Sequence, residues 1–112
     1  MIETRPWGTY EVLLDAKNVK VKRIVVNPKQ RLSYQYHNMR QEHWTIVEGT
    51  LTIVLNDYKH TRSIGESIHI ALNAHHRAWN ETNDPVTFIE VQTGTYFGED
   101  DIIRLEDDYL RD

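Results

Sequence analysis

The sequence predicts an all-β chain of short antiparallel strands, closed into a barrel or packed as a sandwich. Three observations carry that expectation. Apolar and polar residues alternate with period two over most of the chain, β-branched runs of strand length fall between turn signals, and no stretch sustains a helical period. At 112 residues the chain can bury one core, and no linker, repeat or low-complexity segment divides it, so residues 1–112 are expected to form one domain.

About nine strands follow, near 9–14, 19–26, 31–36, 42–47, 51–55, 59–63, 67–70, 77–80 and 86–92. The run from Val19 to Val26 alternates Lys20 and Lys22 with Val21, then ends on Ile24, Val25 and Val26. Glu48-Gly49, Asn56-Asp57 and Asn83-Asp84-Pro85 hold residues that tolerate or fix the backbone angles of tight bends. They are read as the turns of antiparallel hairpins. Near the C-terminus, Asp100 and Asp101 precede Ile102-Ile103 as first-turn acids would, which allows one helical turn within 99–109.

Composition narrows the function. Thirteen basic against seventeen acidic residues give a net charge of −4, with no long basic run, which argues against a nucleic-acid partner. Cysteine is absent, so neither disulfides nor thiol chemistry is available. No segment reaches the length of a membrane span and the N-terminus lacks the apolar stretch of a signal peptide; a cytoplasmic protein without a membrane partner is expected.

One constellation carries chemistry. Gln35 and His37 stand two apart, so on a strand both side chains share a face. Glu42 follows after a short loop and opens the next strand, where it can return a carboxylate to the same point. Further on, His76 can supply a fourth ligand. Two imidazoles, a carboxylate and an amide oxygen suit a borderline divalent ion, with zinc the leading candidate and manganese, nickel, cobalt or iron the others. His69 and His75 read as solvated or hydrogen-bonded rather than ligating, Trp7, Trp44 and Trp79 as core or interface residues, and the acids 99–101 and 106–108 as a solvated, cap-like end.

These stretches resemble the paired motifs of the cupin superfamily. In the first, His37, Glu42 and Gly49 fall on pattern, Gln35 replaces the first His and Lys29 the first Gly; in the second, Gly65, His76 and Asn80 fall on pattern, with Ala71 for Pro and Asn73 for Gly. The blocks Arg5-Pro6-Trp7-Gly8-Thr9-Tyr10, Lys20-Val21-Lys22-Arg23-Ile24, Leu32-Ser33-Tyr34-Gln35-Tyr36-His37, Arg40-Gln41-Glu42-His43-Trp44 and 90–102 are further similar to the type II phosphomannose isomerases, often the C-terminal domain of bifunctional mannose-1-phosphate guanylyltransferases. The resemblance covers nearly the whole chain. It departs at Asn38 and Met39, where family members carry His, and the cupin spacing places both in the loop between ligands.

The resemblance implies a cupin jelly-roll barrel, a metal held by Gln35, His37, Glu42 and His76, and isomerisation of mannose 6-phosphate to fructose 6-phosphate through an enediol. That chemistry needs a base, an oxyanion stabiliser and a phosphate anchor. His43, Glu90 and Lys22 are the candidate bases; Arg40 and Arg77 are the candidate substrate contacts, for phosphate or carbonyl, with Lys22 next. A sugar phosphate and a second copy of the chain, as a homodimer, are the expected partners. No guanylyltransferase segment lies within these residues, so nucleotide transfer is not expected. The alternatives are a sugar-binding cupin without isomerase activity and a cupin dioxygenase.

Overall fold

The computed structural model describes residues 1–109, which build eleven strands and one 3-10 turn in two antiparallel sheets. The strands are β1 (Ile2–Arg5), β2 (Gly8–Asp15), β3 (Val19–Val26), β4 (Tyr34–His37), β5 (Arg40–Glu48), β6 (Leu51–Leu55), β7 (Tyr58–Arg62), β8 (Ser67–Ile70), β9 (His76–Trp79), β10 (Val86–Gly94) and β11 (Ile102–Glu106). One sheet runs β1-β2-β3-β10-β5-β8 and the other β11-β4-β9-β6-β7. Facing each other, they make the jelly roll of a cupin.

Two strands lie outside the sequence expectation. β1 folds back on β2 with Ile2 opposite Glu11 and Arg5 opposite Gly8. Its four residues, mostly exposed, are too short and too polar to show a periodic signal. At the other end the helical turn is confined to Glu99–Asp101, and Ile102–Glu106 is a strand on the edge of β4. Two adjacent β-branched residues there gain more from pairing with β4 than from continuing a helix.

The turns also differ from the reading of all three as hairpins. Asn56 and Asp57, both at positive φ (48° and 73°), close the β6-β7 hairpin. Glu48-Gly49 and 83–85 instead carry the chain from one sheet to the other, because β5 and β6, like β9 and β10, belong to different sheets. Asn80 clamps the second crossover from a fully buried position: its Nδ2 donates to the carbonyls of Val26 and Asp84 at 2.9 and 2.7 Å, and its Oδ1 accepts from Thr82. Lys29 and Asn73, standing where the cupin motifs place glycines, both have φ of 63°, so the backbone keeps the left-handed conformation without the glycine.

Alternation on three neighbouring strands sets up the interior. Inward residues run Val26-Ile24-Lys22 on β3, Phe88-Glu90-Gln92 on β10 and Ile46-Trp44-Glu42-Arg40 on β5, all buried. The register places Phe88 between Ile24 and Ile46, and Gln92 beside Glu42. One end of the barrel is therefore an apolar plug, completed by Leu51, Ile53 and Val86, and the other end is a polar cavity. Trp7 and Trp44 belong to the core, whereas Trp79 is half-buried on the outside beneath Arg31 and Lys59.

Candidate metal centre

Three buried side chains converge at the polar end. Ligand atoms of His37, Glu42 and His76 all lie within 4.8 Å of one another. His37 ends β4 and His76 opens β9, so both imidazoles come from crossovers between the sheets, while Glu42 rises from β5 opposite them. The two crossovers are joined by the Asn73 amide, which donates to the His37 carbonyl at 2.8 Å.

Hydrogen bonds orient each ligand. His76 Nδ1 lies 2.9 Å from the Ala74 carbonyl, which only accepts; the ring proton therefore sits on Nδ1 and Nε2 presents its lone pair, 3.9 Å from Glu42 Oε1. Trp44 Nε1 donates to Glu42 Oε1 at 3.0 Å, and Arg40 Nε donates to Oε2 at 3.0 Å. His37 Nδ1 is 3.6 Å from Glu42 Oε2, and its Nε2 accepts from Arg40 Nη2 at 2.9 Å.

The donor set fits a divalent cation. Ligands about 2.1 Å from a tetrahedral ion stand roughly 3.4 Å apart; the 3.9 Å between His76 Nε2 and Glu42 Oε1 is close to that spacing, and the three ligand atoms lie within 4.8 Å of one another. Burial keeps both imidazoles neutral, as ligation requires: it pulls His37 down to about 3, helped by the neighbouring Arg40 charge, and His76 down to about 4. An ion reaching His37 through Nε2 requires Arg40 to release that nitrogen.

The remaining sequence candidates divide. Gln35 lines the same cavity, half-buried on β4, with Nε2 donating to Ser33 Oγ at 3.0 Å. Arg40, Lys22 and Glu90 also line it, all buried. Burial first, then the neighbouring Glu42, raises the Glu90 carboxyl to about 7; Gln92 Nε2 donates to it at 2.6 Å. Two candidates are placed elsewhere. His43 is exposed on the outer face of β5, stacked on His69 with ring centroids 5.9 Å apart, because it alternates with the inward Glu42 and Trp44. Arg77 alternates with His76 in the same way: its guanidinium leaves the barrel to donate to the Leu32 carbonyl at 2.8 Å and to Glu106 at 2.7 Å, tying β9 to the C-terminal segment. Neither reaches the cavity. His69 is exposed as read, whereas His75 is half-buried and stacked on Tyr36 at 5.0 Å.

A profile described as "Mannose-6-phosphate isomerase C-terminal" matches residues 2–107. The chain belongs to that family. Among relatives of this mannose-6-phosphate isomerase family, the xanthan biosynthesis protein XanB of Xanthomonas campestris pv. campestris is 43% identical over 107 residues, covering 96% of this chain and 23% of its own. The mannose-1-phosphate guanylyltransferase ManC of Salmonella typhimurium is 42% identical over 107 residues, covering 96% and 22%. The chain thus spans less than a quarter of the length of these relatives. In fold it is similar to the capsular polysaccharide assembling protein CapF of Staphylococcus aureus, at 17% identity and a TM-score of 0.83, covering 95% of this chain and 34% of that one.

Asn38 and Met39 fall outside the cluster. Both residues are exposed, and they line a separate outer depression with Leu72 and Thr95 rather than the barrel cavity. What the loop contributes is backbone. Asp101, buried, accepts from the amides of Asn38 and Met39 at 3.2 and 3.0 Å, and Gly94 passes so close that an added Cβ would sit 2.3 Å from the Met39 carbonyl oxygen. Asp101 was read as part of a solvated end; the strand that follows it draws it under the loop. Its neighbours Glu99 and Asp100 are exposed.

Two predictions arise here. Asp101→Ala frees two amides in the turn between His37 and Arg40; a loss of about 1–3 kcal/mol in stability and of roughly 10–100-fold in divalent-metal affinity is expected. Metal titration of the variant checks it, and unchanged affinity would contradict it. The second concerns pH. An unfolded histidine binds its proton near 6.5, whereas His37 and His76 do so only near 3 and 4 in the fold. Between those values the unfolded chain holds more protons, so stability is lost as pH falls from about 6.5 towards 4. Glu90 acts in the opposite sense, because its carboxyl is protonated in the fold up to about 7 and in the unfolded chain only near 4.5. Two imidazoles outweigh one carboxyl, and the metal-free protein is expected to melt at steadily lower temperature from pH 6 to pH 4; a flat profile would contradict this.

Proposed function

We propose that the chain is a metal-dependent mannose-6-phosphate isomerase, interconverting mannose 6-phosphate and fructose 6-phosphate by proton transfer through an enediol. The observation that supports it is the buried cluster of His37, Glu42 and His76 at the floor of a cavity, in a member of the mannose-6-phosphate isomerase C-terminal family. His37, Glu42 and His76, with Gln35 as fourth ligand, would hold the ion, and zinc is the first choice for this donor set. A bound divalent ion would supply charge stabilisation for the sugar's carbonyl oxygen.

The protein's own groups do the rest. Glu90 is the base in this reading. Its carboxyl is buried in the cavity, pairs across the sheet with Lys22 on one side and Trp44 on the other, and is held by Gln92. It is a titratable group on the cavity wall that faces the metal cluster, and a value near 7 suits a residue that must both take and return a proton. Arg40, released from His37, is positioned to contact substrate oxygens. Lys22 lies on the face of the Tyr10 ring, 3.8 Å from the Glu99 carboxylate, and is given no proton-transfer role in this reading.

A coupled assay with mannose 6-phosphate and each of zinc, manganese, nickel, cobalt and ferrous iron tests the proposal. Turnover that is lost on chelation and restored by one of these ions is expected. A folded sample with no turnover under any ion would overturn it and leave a sugar-binding cupin without isomerase activity.

A further inference from the structure

We propose that Arg5 and Lys22, gathered on the ring of Tyr10 at the cavity mouth, form an anion subsite that takes the phosphate of a phosphorylated sugar. The choice of a sugar as its carrier rests on the isomerase reading; the subsite itself rests on the following geometry.

Three side chains from three adjacent strands meet at one place. Arg5 comes from β1, Tyr10 from β2 and Lys22 from β3, and all three line the cavity. The Arg5 guanidinium lies 5.0 Å from the Tyr10 ring centroid and donates through Nη2 to the Tyr10 hydroxyl at 3.0 Å. The Lys22 ammonium lies 4.5 Å from the same centroid. Both cations thus lie within 5.0 Å of one ring centroid and line one cavity, where the electron-rich ring favours positive charge.

Their existing partners leave that role open. The Lys22 side chain is only 7% exposed, yet among the described residues its ion pair is a loose 3.8 Å contact with Glu99, whose side chain is 53% exposed. A half-solvated carboxylate at that distance contributes little, and a deeply buried ammonium is costly without a close anionic partner. Glu90, its neighbour across β10, is hydrogen-bonded to Gln92 and also feels the Lys22 charge. Arg5 is 34% exposed, and among the described residues it meets the Thr4 carbonyl at 2.9 Å and the exposed Glu3 at 3.8 Å besides Tyr10. The two cations thus form a graded pair, one at the rim and one below it. A phosphate has the charge and the several acceptor oxygens to engage both and to displace Glu99.

The position is also right for a sugar lying across the cavity. Lys22 pairs with Glu90, and Glu90 lies one two-residue step along β10 from Gln92, the partner of Glu42. Two strand spacings and one such step separate Lys22 from Glu42 by roughly 12 Å between Cα atoms. With both side chains reaching inward, a six-carbon chain can bridge the gap, its carbonyl end at the metal cluster and its phosphate at the mouth. β1 supplies half of this subsite.

Calorimetric titration of the metal-loaded protein with mannose 6-phosphate, mannose and inorganic phosphate tests the inference. The unaltered protein is expected to bind mannose 6-phosphate at least tenfold more tightly than mannose, with inorganic phosphate competing. Arg5→Gln and Lys22→Met are each expected to weaken mannose 6-phosphate at least tenfold while leaving mannose binding and metal content unchanged. Tyr10→Phe, which keeps the ring and loses the Arg5 hydrogen bond, is expected to have a smaller effect of the same kind. Arg5 at the rim is the variant least able to perturb folding, and undiminished mannose 6-phosphate binding in Arg5→Gln overturns the inference. So does an unaltered protein with no preference for the phosphorylated sugar. The two proposals fail separately: phosphate preference without turnover overturns only the isomerase reading, and turnover whose KM is indifferent to both variants overturns only the subsite.

Discussion

Replacing His76 with alanine is expected to abolish stoichiometric metal binding and to lower isomerase turnover by about a thousandfold or more, in a protein that still folds. His76 is the ligand whose tautomer the structure fixes most firmly, through the Ala74 carbonyl, and among the described residues its Nε2 has no hydrogen bond that competes with coordination. Removing it leaves the cluster one imidazole and one carboxylate. An ion's stabilisation of a developing oxyanion amounts to several kcal/mol, and about 4 kcal/mol corresponds to a thousandfold in rate. The fold should tolerate the change, since the ring packs near His37 and Trp44 at the edge of the apolar plug rather than within it. Metal analysis and steady-state kinetics on the same sample check this. Turnover within tenfold of the unaltered protein would remove His76 from the centre.

Glu42→Ala should have the largest effect on stability, about 3–5 kcal/mol in the metal-free protein. Glu42 is the hub of the polar end, accepting from Trp44 and Arg40 while facing both imidazoles. Arg40 is 4% exposed, so deleting its carboxylate strands a guanidinium inside the barrel, and breaking a buried pair at one end costs more than the pair itself contributes. Removing both charges should therefore recover much of the loss. The expected result is a double variant, Glu42→Ala with Arg40→Met, that is more stable than Glu42→Ala alone, measured by denaturant unfolding. Additive losses would contradict the hub role.

Much of this was legible in the residues. Period-two alternation on 19–26, 42–47 and 86–92 gives the three strands whose shared face grades from Ile46 and Phe88 to Glu42 and Glu90, and the spacing of His37 and Glu42 gives their convergence. The second histidine, His76, needed the second motif as a guide, because nothing local separates it from His75. Strand parity decides the candidates that were misplaced. His43 and Arg77 are each one residue away from an inward-facing ligand, and on a strand one residue reverses the face. That signal was present in the sequence, since Glu42 and His76 fix the parity of β5 and β9. Other features depend on tertiary pairing. Asp101 becomes a buried cap only because β11 docks on β4, and Arg5 enters the cavity only because β1 folds back on β2. Short edge strands carry too few residues for a periodic signal, and their place is set by the sheet that receives them.

The central claim is that His37, Glu42 and His76 hold a divalent ion inside the barrel. Anomalous diffraction from metal-loaded crystals, recorded on either side of the ion's absorption edge, tests it most directly. The account predicts one strong peak between the two imidazoles and the Glu42 carboxylate, with Gln35 completing the set. A peak at the Asn38-Met39 turn or at the outer His43-His69 pair, with nothing between His37, Glu42 and His76, would contradict it.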